Sequence, residues 1–168
     1  MNIMTFNNNI IKTLIDDYAD SLCGMLNRIY DDIDDAMDTC QDAFIKVIDK
    51  FNVIDKNKIK PYLFQVAFNL ALNKKRDKKN RDLLIKENIS DVVYNPDQNE
   101  INQTILLKTE LEKLSEKQNE AIVLKFYGGL KAKEIAEIMD ISEGSVKTHL
   151  SRGLQNLKNN ILNRKGAL

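Results

Sequence analysis

Three groups of side chains in this sequence have the types and spacing to do chemistry. The first is Asp35, Asp38, Gln41 and Asp42, at i, i+3, i+6 and i+7. On a helix these positions share one face. A row of carboxylates there either faces solvent or pairs with Arg and Lys on a partner. The adjoining run Asp31-Asp32-Ile33-Asp34-Asp35 offers ligation of a cation as a second use. The second group is Asn69 and Asn73 followed by Lys74, Lys75, Arg76, Lys78 and Lys79, with Arg81 just beyond. Clustered cations of this kind neutralise phosphates. The third is Ser145, Lys147, Thr148, His149, Ser151 and Arg152, a polar and cationic set able to reach base edges and phosphates.

Catalysis finds no foothold. The chain has no Gly-rich phosphate loop, no His-Glu-x-x-His pattern and no nucleophile elbow. Cys23 and Cys40 lack metal-ligand spacing, and the single histidine lies far from both. They are expected as free thiols in a reducing cytosol, with no metal, cofactor or disulfide. No run of about 18 apolar residues and no basic-then-apolar N-terminus occurs, so the expectation is a cytoplasmic chain with no membrane insertion.

The elements that must position these groups all read as helices. Phe6, Ile10, Leu14, Tyr18, Leu22, Met25, Leu26 and Ile29 recur at helical spacing, as one helix or a pair. A second helix runs from about 34 to 51, with Ala36, Met37, Cys40, Phe44, Val47, Ile48 and Phe51 expected on its buried stripe. Pro61 suits the first turn of a third helix, about 61–80, whose core side is Leu63, Val66, Ala67, Leu70 and Ala71. Tyr62, Phe64 and Phe68 sit among these residues and are read as core rather than as a base-stacking platform. Residues 87–103 are polar and acidic around Asn95-Pro96-Asp97, which reads as a linker. Beyond it, Ser115-Glu116-Lys117-Gln118 has the form of a capping box, and Gly128-Gly129 stops the helix that it opens.

The fold class is therefore all-α, as two small helical domains joined by a flexible linker: 1–86, a linker at 87–103, and 104–168. The 168 residues carry 25 basic and 25 acidic side chains, but not evenly. Residues 1–55 hold 11 acids and 4 bases, and 56–86 hold 10 bases and 2 acids. Residues 87–124 hold 8 acids and 3 bases, and 125–168 hold 8 bases and 4 acids. Two basic blocks point to two contacts with nucleic acid, while the acidic blocks must face something else.

Near the C-terminus, Lys131 to Leu157 has the layout of a helix-turn-helix. Ile135, Ala136 and Met139 face inward on a short helix, Asp140 takes the positive-φ turn, and Ile141 packs beneath it. Ser142 caps a second helix that buries Val146, Leu150, Leu154 and Leu157, and whose other face is the third group above.

Two segments together resemble one family. Asp35-Ala36-Met37-Asp38-Thr39-Cys40-Gln41-Asp42-Ala43-Phe44 is similar to the D-A-x-D-x-x-Q-(E/D)-x-F signature of sigma region 2.2. Tyr62 to Arg76 is similar to the W-L-x-x-I-A-x-N-x-x-x-D-x-x-R helix of regions 2.3–2.4, with Tyr62 for tryptophan and Asn73 for aspartate. The helix-turn-helix, preceded by Leu114-Ser115-Glu116-Lys117-Gln118, resembles region 4, with Ser115, Lys131 and His149 departing from the usual residues. The whole is similar to a small extracytoplasmic-function sigma factor of the sigma-70 family.

That resemblance implies core RNA polymerase and promoter DNA as partners, and an anti-sigma factor. The Asp35, Asp38, Gln41 and Asp42 row would meet the clamp helices of the β′ subunit, and region 4 the β flap. Asn69, Asn73, Lys74, Lys75, Arg76, Lys78 and Lys79 would serve the −10 element, with the pocket for a flipped base near 52–60. Ser145, Lys147, Thr148, His149, Ser151 and Arg152 would serve −35. The alternative is a stand-alone helix-turn-helix regulator, dimeric and binding duplex DNA without polymerase. If Lys78 or Arg76 neutralises a phosphate, changing it to Gln lowers the salt slope of DNA binding by roughly 0.7 to 0.9, as titration with salt would measure.

Overall fold

The computed structural model describes residues 3–30, 32–84 and 106–165, and every regular element among them is a helix. The expected linker, 87–103, lies outside the described residues. The N-terminal unit is three helices: α1 (Ile3–Ile29), α2 (Ile33–Asp49) and α3 (Ile59–Leu84), each packed on the other two. α1 is a single helix, with Leu14, Leu22, Met25 and Leu26 buried.

The start of α2 follows from its acids. Asp32 is the N-cap, its Oδ1 accepting from the Asp34 amide at 2.8 Å, and Asp34 and Asp35 lie in the first turn, where the helix dipole favours negative charge. Those roles make capping a better account of this part of the acidic run than cation binding. A buried hydrogen bond then ties the α1–α2 corner. Thr39 Oγ1 donates to the Asp35 carbonyl at 2.8 Å, so its single proton is used, and the Tyr30 hydroxyl donates to Thr39 Oγ1 at 2.9 Å. Burial, with the nearby Asp35 and Asp42 charges assisting, pushes the Tyr30 phenol above its ordinary pKa and keeps that proton in place.

A 3₁₀ turn, Lys56–Lys58, capped by Asp55, leads into α3 two residues before Pro61, which keeps the proline in the first turn. Leu63, Phe64, Ala67, Phe68 and Ala71 are buried, so Phe64 and Phe68 are core as expected, whereas Tyr62 is half-buried at the edge of the core and lines an open groove.

The C-terminal unit holds helical residues 106–112 (α4), α5 (Glu116–Phe126), α6 (Ala132–Met139) and α7 (Glu143–Lys165). The capping-box expectation at Ser115 is corrected: Ser115 is the N-cap of α5, but its hydroxyl makes no cap bond, and Gln118 instead accepts from Asn156 of α7 at 3.2 Å. One arm of such a box appears at α6, where the Glu134 carboxylate accepts from the Lys131 amide at 2.7 Å; the Lys131 side chain, having no acceptor, cannot return the bond. α5 stops before Gly128-Gly129, and Gly129 takes a φ of +61°.

The two units share a core. Leu22, Leu63, Phe64 and Phe68 belong to one buried cluster with Leu124, Leu130, Ile135 and Val146. A Cβ on Gly128 would lie 2.6 Å from the Leu124 carbonyl oxygen and 3.1 Å from the Phe64 ring, so that approach needs glycine. The Arg28 guanidinium lies 5.0 Å from the Tyr127 ring centre, and Lys60 Nζ donates to the Gly129 carbonyl at 3.3 Å. Tyr30→Phe keeps the ring and removes the hydrogen bond to Thr39, so urea denaturation should show a loss of about 1 kcal/mol.

Candidate nucleic-acid and protein interfaces

The outer side of α2 holds the acidic row. Asp38, Gln41 and Asp42 are exposed and Asp35 is half-buried. Met37, expected in the core, is corrected: it is 51% exposed. The buried stripe of α2 runs instead through Ala36, Thr39, Cys40, Ala43, Phe44 and Val47. Met37 lies about 100° round the helix from Ala36, which carries it outward. It lines up with the exposed Ile33 and Ile45, and with Gln41 between them, at four-residue spacing. An unburied apolar ridge edged by carboxylates has the composition of a protein-contact surface.

On the neighbouring side, α2 and α3 form an open groove of about 420 Å³ lined by Lys46, Asp49, Lys50, Tyr62, Val66, Asn69, Leu70 and Asn73. Asn69 and Asn73 are exposed there. Lys46 and Lys50 were not foreseen. Their signal was present, as the last two bases at i, i+4 in an acidic block. The loop leading to the groove leaves Val53 84% exposed.

The cations that follow do not share one surface. Lys74 Nζ reaches Asp42 Oδ2 at 3.9 Å, which links the acidic row to the basic run. Both side chains are well exposed, so this pair contributes little stability. Lys75 points the other way, into a cavity of about 350 Å³ between the units, with Arg28, Glu112, Glu116 and Glu120 on its walls. Arg76 and Lys78 are exposed; the side chains of Lys79 and Arg81 lie outside the described set.

In the C-terminal unit the turn forms as expected. Asp140 adopts φ 52°, ψ 49°, and Ser142 Oγ accepts from the Ser145 amide at 3.0 Å to cap α7. Lys147, Thr148, Ser151 and Arg152 are exposed, and Ser145 and His149 are half-buried. Lys147 Nζ donates to Glu143 at 2.8 Å, and that bond, with the lysine's charge, holds the Glu143 carboxyl below the usual range. A phosphate must compete with this carboxylate for Lys147. Thr148 Oγ1 donates to the Gly144 carbonyl at 2.9 Å.

The back of α7 needs one correction: Leu154 is 44% exposed, and Gly153 is buried in its place. A Cβ at 153 would meet Ile122 Cδ1 at 2.7 Å and Gln118 Cβ at 3.2 Å, so this glycine lets α7 cross close over α5.

Family models described as Sigma-70 region 2 and Sigma-70, region 4 match residues 14–81 and 105–157. Over 163 residues the chain is 31% identical to the ECF RNA polymerase sigma factor SigW of Bacillus subtilis (strain 168), spanning 86% of this chain and 85% of that one. This chain belongs to the extracytoplasmic-function sigma factors of the sigma-70 family. The ECF RNA polymerase sigma factor SigM of the same organism is 31% identical over 126 residues, 73% of this chain and 77% of that one.

Among solved structures, the sigma factor RpoE in complex with the anti-sigma factor NepR from Bartonella quintana superposes with a TM-score of 0.76 at 23% identity, covering 88% of this chain and 94% of that one. CnrH in complex with the cytosolic domain of CnrY gives 0.69 at 18%, covering 92% and 88%. These two share the fold. As an alternative sigma factor, the protein directs transcription initiation by RNA polymerase at its promoters.

In the sigma factor, Gly153→Ala would displace the buried tip of Ile122 and crowd Gln118 Cβ. Overpacking costs about 1–3 kcal/mol and the gain in helix propensity offsets about 1, so chemical denaturation should show a net loss of up to about 2 kcal/mol.

Proposed function

We propose that the outer face of α2 docks on the clamp helices of the polymerase β′ subunit, and that the α2–α3 groove receives the −10 element. The observation that carries this is the exposed ridge Ile33, Met37, Gln41 and Ile45 beside Asp38 and Asp42. Carboxylates steer the encounter with a basic coiled coil and fix its register, while the apolar side chains supply area to bury.

The groove between Tyr62, Asn69, Asn73, Lys46 and Lys50 is open and partly cationic, which suits an unstacked base and its phosphates. Extruding a base costs a few kcal/mol, and stacking contacts worth about 1–3 kcal/mol per base offset this. The α7 face from Ser145 to Arg152 then reads the −35 major groove, with region 4 held by the β flap. The protein contributes binding only; polymerase performs the bond-making. An anti-sigma factor that covers the α2 face would silence it, and the place of action is the cytoplasm.

Using both promoter elements requires the two units to separate. The −10 and −35 elements lie roughly 25 base pairs apart, about 85 Å along B-DNA. Units packed through Phe64 and Gly128 cannot bridge that distance. The 21 residues from 85 to 105 reach at most about 70 Å when extended, which, with the breadth of the units themselves, is enough.

In vitro transcription on genomic fragments with core polymerase tests this reading. The protein should produce new start sites, while Asp38→Arg and Met37→Ala should each weaken binding to core by about tenfold or more. Asn69→Ala should bind core normally yet open promoters poorly. No new start sites and no co-migration with core, together with dimeric binding to duplex DNA, would sink the proposal.

A further inference from the structure

Cys23 of α1 and Cys40 of α2 lie 17 residues apart in sequence, with nothing there to pair them. The fold sets Cys23 Sγ 2.9 Å from Cys40 Sγ, and both are free thiols. We propose that Cys23 and Cys40 form a reversible dithiol–disulfide site that is oxidised by the disulfides of low-molecular-weight thiols and staples α1 to α2. The proposal does not depend on how α2 is used by a partner.

The two sulfurs divide the work by exposure. Cys23 is half-buried and open to a small reagent, whereas Cys40 is 5% exposed. Cys23, as thiolate, attacks one sulfur of the small disulfide RSSR. The new bond is Cys23 Sγ–SR, and one RS⁻ leaves and takes up the proton lost from Cys23. Cys40 then gives up its proton, its sulfur attacks Cys23 Sγ, and the second RS⁻ leaves and is protonated. The sum is two cysteine thiols oxidised and one RSSR reduced to two RSH.

Burial, and then the Cys23 sulfur beside it, push the Cys40 thiol up to about 12, so Cys40 is a poor first nucleophile. Ring closure overcomes this because the reacting atoms are already in contact, where effective concentrations are very high. The same burial keeps other oxidants from Cys40 until Cys23 has reacted. The sulfurs need to close by only about 0.9 Å to reach bonding distance.

The test uses the full chain, held folded at neutral pH with glutathione disulfide. Free thiols are counted after denaturation, with intact mass and thermal midpoint read before and after dithiothreitol. The wild type should lose both thiols and two hydrogen masses. Its midpoint should rise by about 5–10 °C, since a loop of this length is tied off, and should fall back on reduction. Cys40→Ser should stop at a lasting glutathione adduct on Cys23.

Two results would overturn the proposal. In one, the folded wild type keeps both thiols while the urea-unfolded chain closes its disulfide. In the other, it accumulates the Cys23 adduct without closing.

Discussion

Along α2, Ala36, Cys40, Ala43, Phe44 and Val47 are buried against α1 and α3, and Ala43, Ala67 and Ala71 have no exposed surface at all. Small residues at a helix crossing let the backbones approach closely, and close approach fixes the rotation of each helix about its axis. Two outward faces are thereby set. The ridge with Asp38 and Gln41 is turned to solvent, and Asn69 and Asn73 are turned to the groove that α2 completes with Lys46 and Lys50. Enlarging any of these alanines would rotate or displace both faces together.

The C-terminal unit reaches the same result by a different device. Asp140 in the left-handed region and the Ser142 cap fix the angle between α6 and α7. Gly153 fixes how closely α7 lies on α5. The polar side chains from Ser145 to Arg152 then need no contacts of their own to be presented. Several are instead held in place locally, Lys147 by Glu143 and Thr148 by the Gly144 carbonyl.

Helical periodicity carried most of the architecture, because a burial stripe repeating at 3.6 residues leaves a direct trace in sequence. It was weakest at the stripe's edges. Met37 and Leu154 are apolar residues one step off the buried line, and hydrophobicity cannot distinguish a core edge from an outward-facing contact. Ser115 shows a second limit: its residue type and spacing suit a cap, yet Gln118 is engaged by Asn156 on a distant helix. Such long-range pairings have no local signature. The Cys23–Cys40 contact and the packing of Phe64 on Gly128 were invisible for the same reason, since each joins segments whose spacing in sequence has no meaning until the helices have folded back.

The contact between the two units has a thermodynamic consequence for a cell in which several initiation factors compete for one pool of enzyme. Where engagement needs the separated form, the apparent affinity equals the intrinsic affinity scaled by the fraction of molecules already apart. Each 1.4 kcal/mol or so of stability at Phe64, Gly128, Arg28 and Tyr127 therefore reduces that affinity about tenfold without altering a single residue that touches polymerase or DNA. Rank in the competition is then written partly in a seam on the inside of the molecule, where a change at Arg28 or Tyr127 can retune it while both outward faces stay the same.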